Sequence, residues 1–173
     1  GASPGPVAYG LGGTNATLTD ANLALGYLDP AHFLGGRMAL DKGAALAALG
    51  ALGERLDLTS ERAAWGIHEV ANENIARAMR IHATERGLDR KRATLAAFGG
   101  GGPLHAARIA RKLGIGSVLF PVGAGVMSAF GMMCGALTVD VARSARTQLD
   151  GLRLDRFKEL LAADESEASA MLT

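Results

Sequence analysis

The order of apolar and polar positions divides the chain into short, well-marked pieces. The sharpest is Leu95–Leu113, LAAFGGGGPLHAARIARKL. A short apolar run, Leu95 to Phe98, stops at four glycines, Gly99 to Gly102, and Pro103 opens a basic amphipathic pattern. This order predicts a strand, a tight turn and a helix N-terminus, because proline at the start of a helix gives up an N–H that would lack a partner anyway. Ser117–Phe120 predicts a second buried strand and Pro121–Gly125 a second glycine loop. Val126–Met133 predicts a helix of small and Met residues, and Leu137–Val141 a last strand.

The first half reads as helices. Residues 1–16 are rich in Gly, Pro and Asn and form a loop. Within residues 17–28, Leu23 and Tyr27 sit four apart, which predicts a short helix with Thr19 or Asp20 as its N-cap. Asp41 caps a helix over Lys42–Arg55, with Ala45, Leu46, Leu49 and Leu52 as its apolar stripe. Thr59 or Ser60 starts the longest element, which runs to about Arg86. Its predicted inner face is Ala64, Ile67, Ala71, Ile75, Ala78 and His82, and Gly87 is its C′ residue. Beyond Asp150 a charged helical pattern runs to Thr173 without a stop signal. Strand–helix–strand–helix in the second half argues for α/β with neighbouring parallel strands. Two or three strands make a very small sheet, and parallel sheets are covered on both faces. The chain therefore reads as part of a larger domain.

Composition narrows the picture further. The chain has 173 residues, 49% of them hydrophobic, which suffices for a real core. Aromatics make up 5% and glycine 24 residues, so that core is built from small aliphatic side chains. A net charge of +1 gives no global pull towards nucleic acid or an anionic membrane. Residues 114–139 carry no charge, but Pro121 and six glycines divide them into a strand, a loop and a helix, all expected to be buried. The opening residues show neither the basic nor the apolar region of a signal peptide, and the single cysteine, Cys134, suits a reducing compartment. A cytoplasmic location is the resulting expectation. Cys134 lies in an apolar run and reads as core.

Most chemical motifs fail. GxGxxG breaks at Leu104 or His105, no lysine follows a glycine in a Walker A loop, and no GxSxG is present. The four histidines, His32, His68, His82 and His105, are scattered, and His68-Glu69 fails as HExxH because residue 72 is Asn. No metal-ligand set results. Two local alternatives stay open. The glycine turn either cradles an anion or nucleotide with its free N–H groups, or simply lets a strand and helix pack closely. Asp20 either holds a metal or polarises a water, or caps its helix.

Three stretches together resemble a known family: PGPVAYGLGGTNATLTDANLALGYL (4–28), FLGGRMALD (33–41) and AFGGGGPLHAARIARKLGI (97–115). VANENIARAMRIHATERGLD (70–89) and GVMSAFGMM (125–133) extend the match, in one register, to about residues 1–147. The chain resembles the hydantoinase A / 5-oxoprolinase family, which includes ATP-dependent N-methylhydantoinases, 5-oxoprolinases and subunits of acetone-type carboxylases. The resemblance implies an α/β fold: part of an actin-like ATPase (RNase H-like) domain, helix-rich, with a small parallel sheet. Residues 1–149 would be the carboxyl-side part of that domain and 150–173 the start of a C-terminal helical segment.

The resemblance also implies a role. In that fold a strand–glycine–helix turn lies against the adenosine of ATP, and Gly99, Gly100, Gly101, Gly102 and Pro103 match it. The full subunit would be an ATP-dependent cyclic amidohydrolase, in which ATP with Mg²⁺ activates a substrate oxygen by phosphorylation in a small cyclic amide, a hydantoin or 5-oxoproline. Alternatives are an ATP-dependent ketone carboxylase subunit, or a non-catalytic helical interaction module when isolated. The family's D-x-G-G-T phosphate loops are missing, since Leu11 and Gly10 precede Gly12-Gly13-Thr14. The chain on its own would then be inactive, with the upstream part of the same subunit and a second, hydantoinase B-like subunit as partners. Asp20 and Asn22, in Thr-Asp-Ala-Asn, are the polar candidates for catalysis. Two departures from the family pattern are Ala8, near where a Cys is frequent, and Gly101, where Ala is frequent. Apolar surface left bare could drive the chain to self-associate.

Overall fold

The structure is a computed structural model that describes residues 3–144, 146, 148, 151 and 153–172. It divides into two compact units, the first ending at Met127 and the second beginning at Ser128. The expected boundary at 149/150 falls on residues outside the described set. Among the described residues no helix is long and apolar enough to cross a membrane.

The first unit is built on helices α1 (Leu18–Ala24), α2 (Lys42–Glu54), α3 (Ser60–Glu85) and α4 (Gly102–Leu113), with strands β1 (Thr94–Ala96) and β2 (Ser117–Leu119). The N-cap of α1 is Thr17, not Thr19 or Asp20. Its side chain accepts from the Asp20 N–H, while the Asp20 carboxylate reaches back to the Thr17 N–H. This reciprocal box satisfies two N–H groups that the helix start leaves unpaired. Asp41 and Thr59 cap α2 and α3. At the end of α3, Gly87 at φ 64° donates to Thr84 O and Leu88 donates to Ala83 O, closing the chain reversal that a left-handed residue allows.

The long helix α3 is the spine on which α1, α2 and α4 pack. Its buried residues are Ala63, Ala64, His68, Asn72 and Ala76. The predicted face is therefore displaced: Ala64 is buried, whereas Ile75, Ala78 and His82 are exposed. At the Ala64 end lies an apolar cluster with Ala21 and Leu49, and at the Ala76 end another with Ile109 and Leu113. A third cluster, Ala8, Leu23, Leu40 and Ala45, joins the N-terminal loop to α1 and α2.

β1 and β2 pair in parallel, with Leu95 opposite Val118, and α4 connects them. These are the two strands expected, each shorter than its apolar run. Leu137–Val141 forms no strand, and its backbone is irregular. The apolar 114–139 segment is not buried as expected either: Leu119, Phe120 and Val122 are exposed. No residue of α5 (Met127–Cys134) is buried, and Cys134 is exposed rather than core. Hydrophobic runs of this kind are buried only where a second layer covers them, and the described residues supply none. In the second unit, α6 (Leu154–Leu172) is held by Arg143, which bonds Asp164 at 2.7 Å and Glu167 at 3.0 Å.

Candidate functional site: a glycine turn and a buried histidine–asparagine chain

The glycine turn leaves β1 and enters α4. Gly99 has φ 87°, in the left-handed region where side chains strain the backbone. Its N–H donates to Ala124 O at 2.8 Å, so the turn is tied to the second glycine loop. Gly100, Gly101 and Gly102 differ from Gly99. A Cβ on any of them would meet nothing within 4 Å, and none has positive φ. Among the described residues nothing therefore requires glycine at these three exposed positions. Gly101 is the N-cap of α4 and provides no side-chain acceptor for the first N–H groups. The result is an open, donor-rich patch of backbone at the positive end of a helix. The structure thus places Gly99 to Pro103 together at one accessible surface.

One turn into α4 the character of the chain changes. His105 is buried and meets three other buried polar side chains. His68 Nδ1 lies 2.8 Å from Asn22 Oδ1, Asn22 Nδ2 lies 3.4 Å from His105 Nε2, and His105 Nδ1 lies 2.8 Å from Asn72 Oδ1. The amide oxygens can only accept, which assigns the proton to Nδ1 in both imidazoles. The chain then has one direction: His68 donates to Asn22, Asn22 to His105, and His105 to Asn72. The two imidazoles stack at 4.7 Å, and Tyr27 stacks on His68 at 4.9 Å. Burial pushes both histidines below the usual imidazole range, and for His68 the neighbouring His105 adds to the effect. Both shifts favour the neutral ring, and the acceptor role of His105 Nε2 requires it for that residue. Among the described residues, Asn72 Nδ2 is the one buried side-chain polar atom without a hydrogen-bond partner.

A charged lid flanks this chain. Glu69 accepts from Arg108 at 2.6 Å and from Lys112 at 3.1 Å, and the two cations hold its carboxyl down at about 2. Arg108 also lies over the Trp65 ring, 4.9 Å from its centroid. These pairs clamp α4 against α3.

The two polar candidates of the Thr-Asp-Ala-Asn segment have separate surroundings. Asp20 is fully buried. Its Oδ1 accepts from the Ala8 N–H at 2.8 Å, and its Oδ2 accepts from Val7 N–H, Thr17 N–H and the Thr17 hydroxyl. Through these bonds it holds the N-terminal loop to α1. Asn22, two residues on, points into the histidine chain. No group of three or more His, Cys, Asp or Glu among the described residues could hold a metal ion. Sequence reasoning missed His68, His105 and Asn72 because spacing along one chain does not show a cluster shared by three helices. One signal was present: Asn72, the residue that spoils HExxH, is the one that receives His105.

The first unit is thus a helix-rich α/β segment in which a short parallel strand runs into a glycine turn at the start of α4. The family described as Hydantoinase/oxoprolinase matches residues 1–141, and the chain belongs to that family. It is 38% identical to the caprolactamase subunit alpha of Pseudomonas jessenii over 161 residues, 92% of this chain and 23% of that one. It is 39% identical to 5-oxoprolinase 1 of Arabidopsis thaliana over 149 residues, 76% of this chain and 12% of that one. The crystal structure of the ATP-dependent caprolactamase superposes with a TM-score of 0.69 at 42% identity, covering 76% of this chain and 19% of that chain. A nucleotide-free structure of acetone carboxylase, an enzyme of ATP-dependent acetone carboxylation, gives 0.68 at 31% identity, covering 73% and 18%. The chain thus spans about a quarter or less of the length of these relatives.

Proposed function

We propose that this chain is the adenosine-side segment of an ATP-dependent enzyme subunit that activates a cyclic amide, of the hydantoin or 5-oxoproline kind, by phosphorylation of its carbonyl oxygen. The observation that carries the reading is the open space around Gly100, Gly101 and Gly102. These glycines leave bare backbone facing outwards at the start of α4, and flat adenosine is a partner that such backbone would admit. Gly99 and Pro103 shape the turn, and the uncapped N-terminus of α4 offers its N–H groups to polar edges. The caprolactamase and 5-oxoprolinase relatives support a cyclic-amide substrate.

When bound, ATP would supply the phosphoryl group that turns a poor amide oxygen into a leaving group. The part of this chain is to bind and orient the nucleoside. Mg²⁺ would ride on the phosphates, whose loops belong to the upstream part of the same subunit. Asp20 and Asn22 act in this reading through position: Asp20 fixes the loop before α1, and Asn22 reaches α4 through His105. A second, hydantoinase B-like subunit completes the chemistry, in keeping with relatives named as subunits. The cytoplasm, where the lone Cys134 stays reduced, is the proposed location. The acetone carboxylase likeness supports a second reading, a ketone carboxylase subunit, with the same adenosine role for the turn.

The test is calorimetric titration of the chain with Mg-ADP beside Gly100→Val. Binding that the variant loses by tenfold or more is expected. Equal binding by both would remove the nucleotide from the turn. If neither binds, the same pair is titrated with the upstream phosphate loops restored, and equal affinity there removes it as well.

A further inference from the structure

The glycine turn and the buried histidine chain are three residues apart in sequence and joined by one helical turn. His105 is the fourth residue of α4, and Gly102 the first. Its imidazole is gripped from both ends: Asn72 of α3 accepts from Nδ1 at 2.8 Å, and Asn22 of α1 donates to Nε2 at 3.4 Å. Stacking on His68 at 4.7 Å fixes the ring plane as well. A helix N-terminus packed only by apolar residues could slide or rotate by fractions of an ångström. One held by directional hydrogen bonds to two other helices cannot do so without breaking them.

The arrangement is not an economical way to fill a core. The adjoining clusters on α3 are apolar, built from Ala64 with Leu49 and from Ala76 with Ile109 and Leu113. Between them sit four polar side chains, and the last, Asn72, keeps an amide hydrogen pair without an acceptor. An unpaired buried donor is a net cost, which apolar groups of the same shape would avoid. Directional placement is what the polar version adds.

We propose that His105 is a positioning residue: clamped by Asn72 and Asn22, it sets the register of the α4 N-terminus and thereby holds Gly99 to Gly102 in the shape their ligand meets. That the ligand is an adenine nucleotide rests on the function proposed above, but the positioning itself does not.

The experiment uses the whole chain in three forms: wild type, His105→Leu, which fills the space but breaks both hydrogen bonds, and His105→Asn, whose amide can still donate to Asn72. Leu40→Ala, in the separate cluster with Ala8, Leu23 and Ala45, controls for lost stability. Hydrogen exchange is read at the Gly99 amide in the turn, bonded to Ala124 O, relative to the Ile109 amide inside α4. His105→Leu should raise that ratio at least tenfold, His105→Asn should restore most of it, and Leu40→Ala should leave it unchanged. Mg-ADP affinity should fall in step with the ratio. Equal ratios in His105→Leu and Leu40→Ala would overturn the proposal. If wild type binds no nucleotide while the exchange ratio moves, the positioning role stands, and the nucleotide reading is decided by the titration with the upstream phosphate loops restored. Should the variants not fold, nitrogen-15 spectra of the wild-type histidines decide. The proton must reside on Nδ1 of His105 at pH 7, and an Nε2 proton would break the clamp and end the proposal.

Discussion

Replacing Asp20 separates a structural carboxylate from a chemical one. Its four hydrogen bonds all stay within this chain, and the Ala8 N–H it satisfies is itself buried. In Asp20→Ala that donor cannot reach water, at a cost of about 1–3 kcal/mol. The Val7 and Thr17 donors are only part-buried and can be rehydrated, so they lose less. Loss of the reciprocal cap on α1 adds about 1 kcal/mol. The sum is about 3 kcal/mol, a large share of the 5–15 kcal/mol by which domains are typically stable. Asp20→Asn keeps one oxygen for Ala8 but turns an NH₂ towards the Thr17 and Val7 donors, so about 2 kcal/mol is expected. The assay is urea unfolding of the chain, comparing midpoints at constant slope. A reacting carboxylate would show the opposite pattern, with stability near wild type and turnover lost in the reassembled enzyme. Asp20→Asn within about 0.5 kcal/mol of wild type would refute the accounting.

Two further predictions concern the buried histidines and the glycines of α2. His68 and His105 both titrate below the usual imidazole value in the folded chain, so the unfolded chain binds more protons as pH falls below 6.5. Their contribution is fully present above pH 6.5 and is lost on acidification through the lowered values, ahead of the loss from Glu69, which sets in only below its unfolded value near 4.5. Urea midpoints from pH 8 to 5 should fall in wild type and stay flat in the His68→Leu/His105→Leu pair, and parallel curves would dismiss the histidines as the source. On α2, a Cβ at Gly53 would lie 2.5 Å from Leu58 O, whereas at Gly50 it would meet nothing within 4 Å. Thermal unfolding should show Gly53→Ala destabilised by about 1–3 kcal/mol and Gly50→Ala stabilised by about 0.5–1 kcal/mol, and a shared sign would contradict the packing of α2 on the 55–59 turn.

The elements that local chemistry dictates were legible in the chain. Asp41, Thr59 and Gly87 mark the ends of α2 and α3 because caps are decided by one or two residues. The runs at Leu95 and Ser117 announce β1 and β2, and the four glycines announce the turn between β1 and α4. What was not legible depends on contacts far apart in sequence. Thr17 displaces Thr19 and Asp20 as the cap of α1 because Asp20 is drawn back to the 7–8 backbone. The inner face of α3 shifts because His68 and Asn72 find partners on α1 and α4, so the buried line is not the most apolar one. Leu137–Val141 has strand composition but no neighbour to pair with among the described residues, and composition alone closes no ladder.

The same logic separates the buried polar chain from the exposed apolar surface. Phe98, Leu119, Phe120 and Val122 are exposed on the strands and loops beside the glycine turn. Apolar exposure here reports only what is not packed against the segment, and it carries no chemistry. The Asn22–His68–His105–Asn72 chain is the reverse. It is sealed inside the first unit, it satisfies itself in one direction, and it ends on a donor with nothing to receive it. Its stability cost is local, whereas the order it imposes reaches Gly102 within one turn of helix. A core free to optimise stability alone would place leucines at these positions. The polar chain is consistent with a selected requirement for the exact placement of α4, and the open glycines in front of α4 are where that placement would matter.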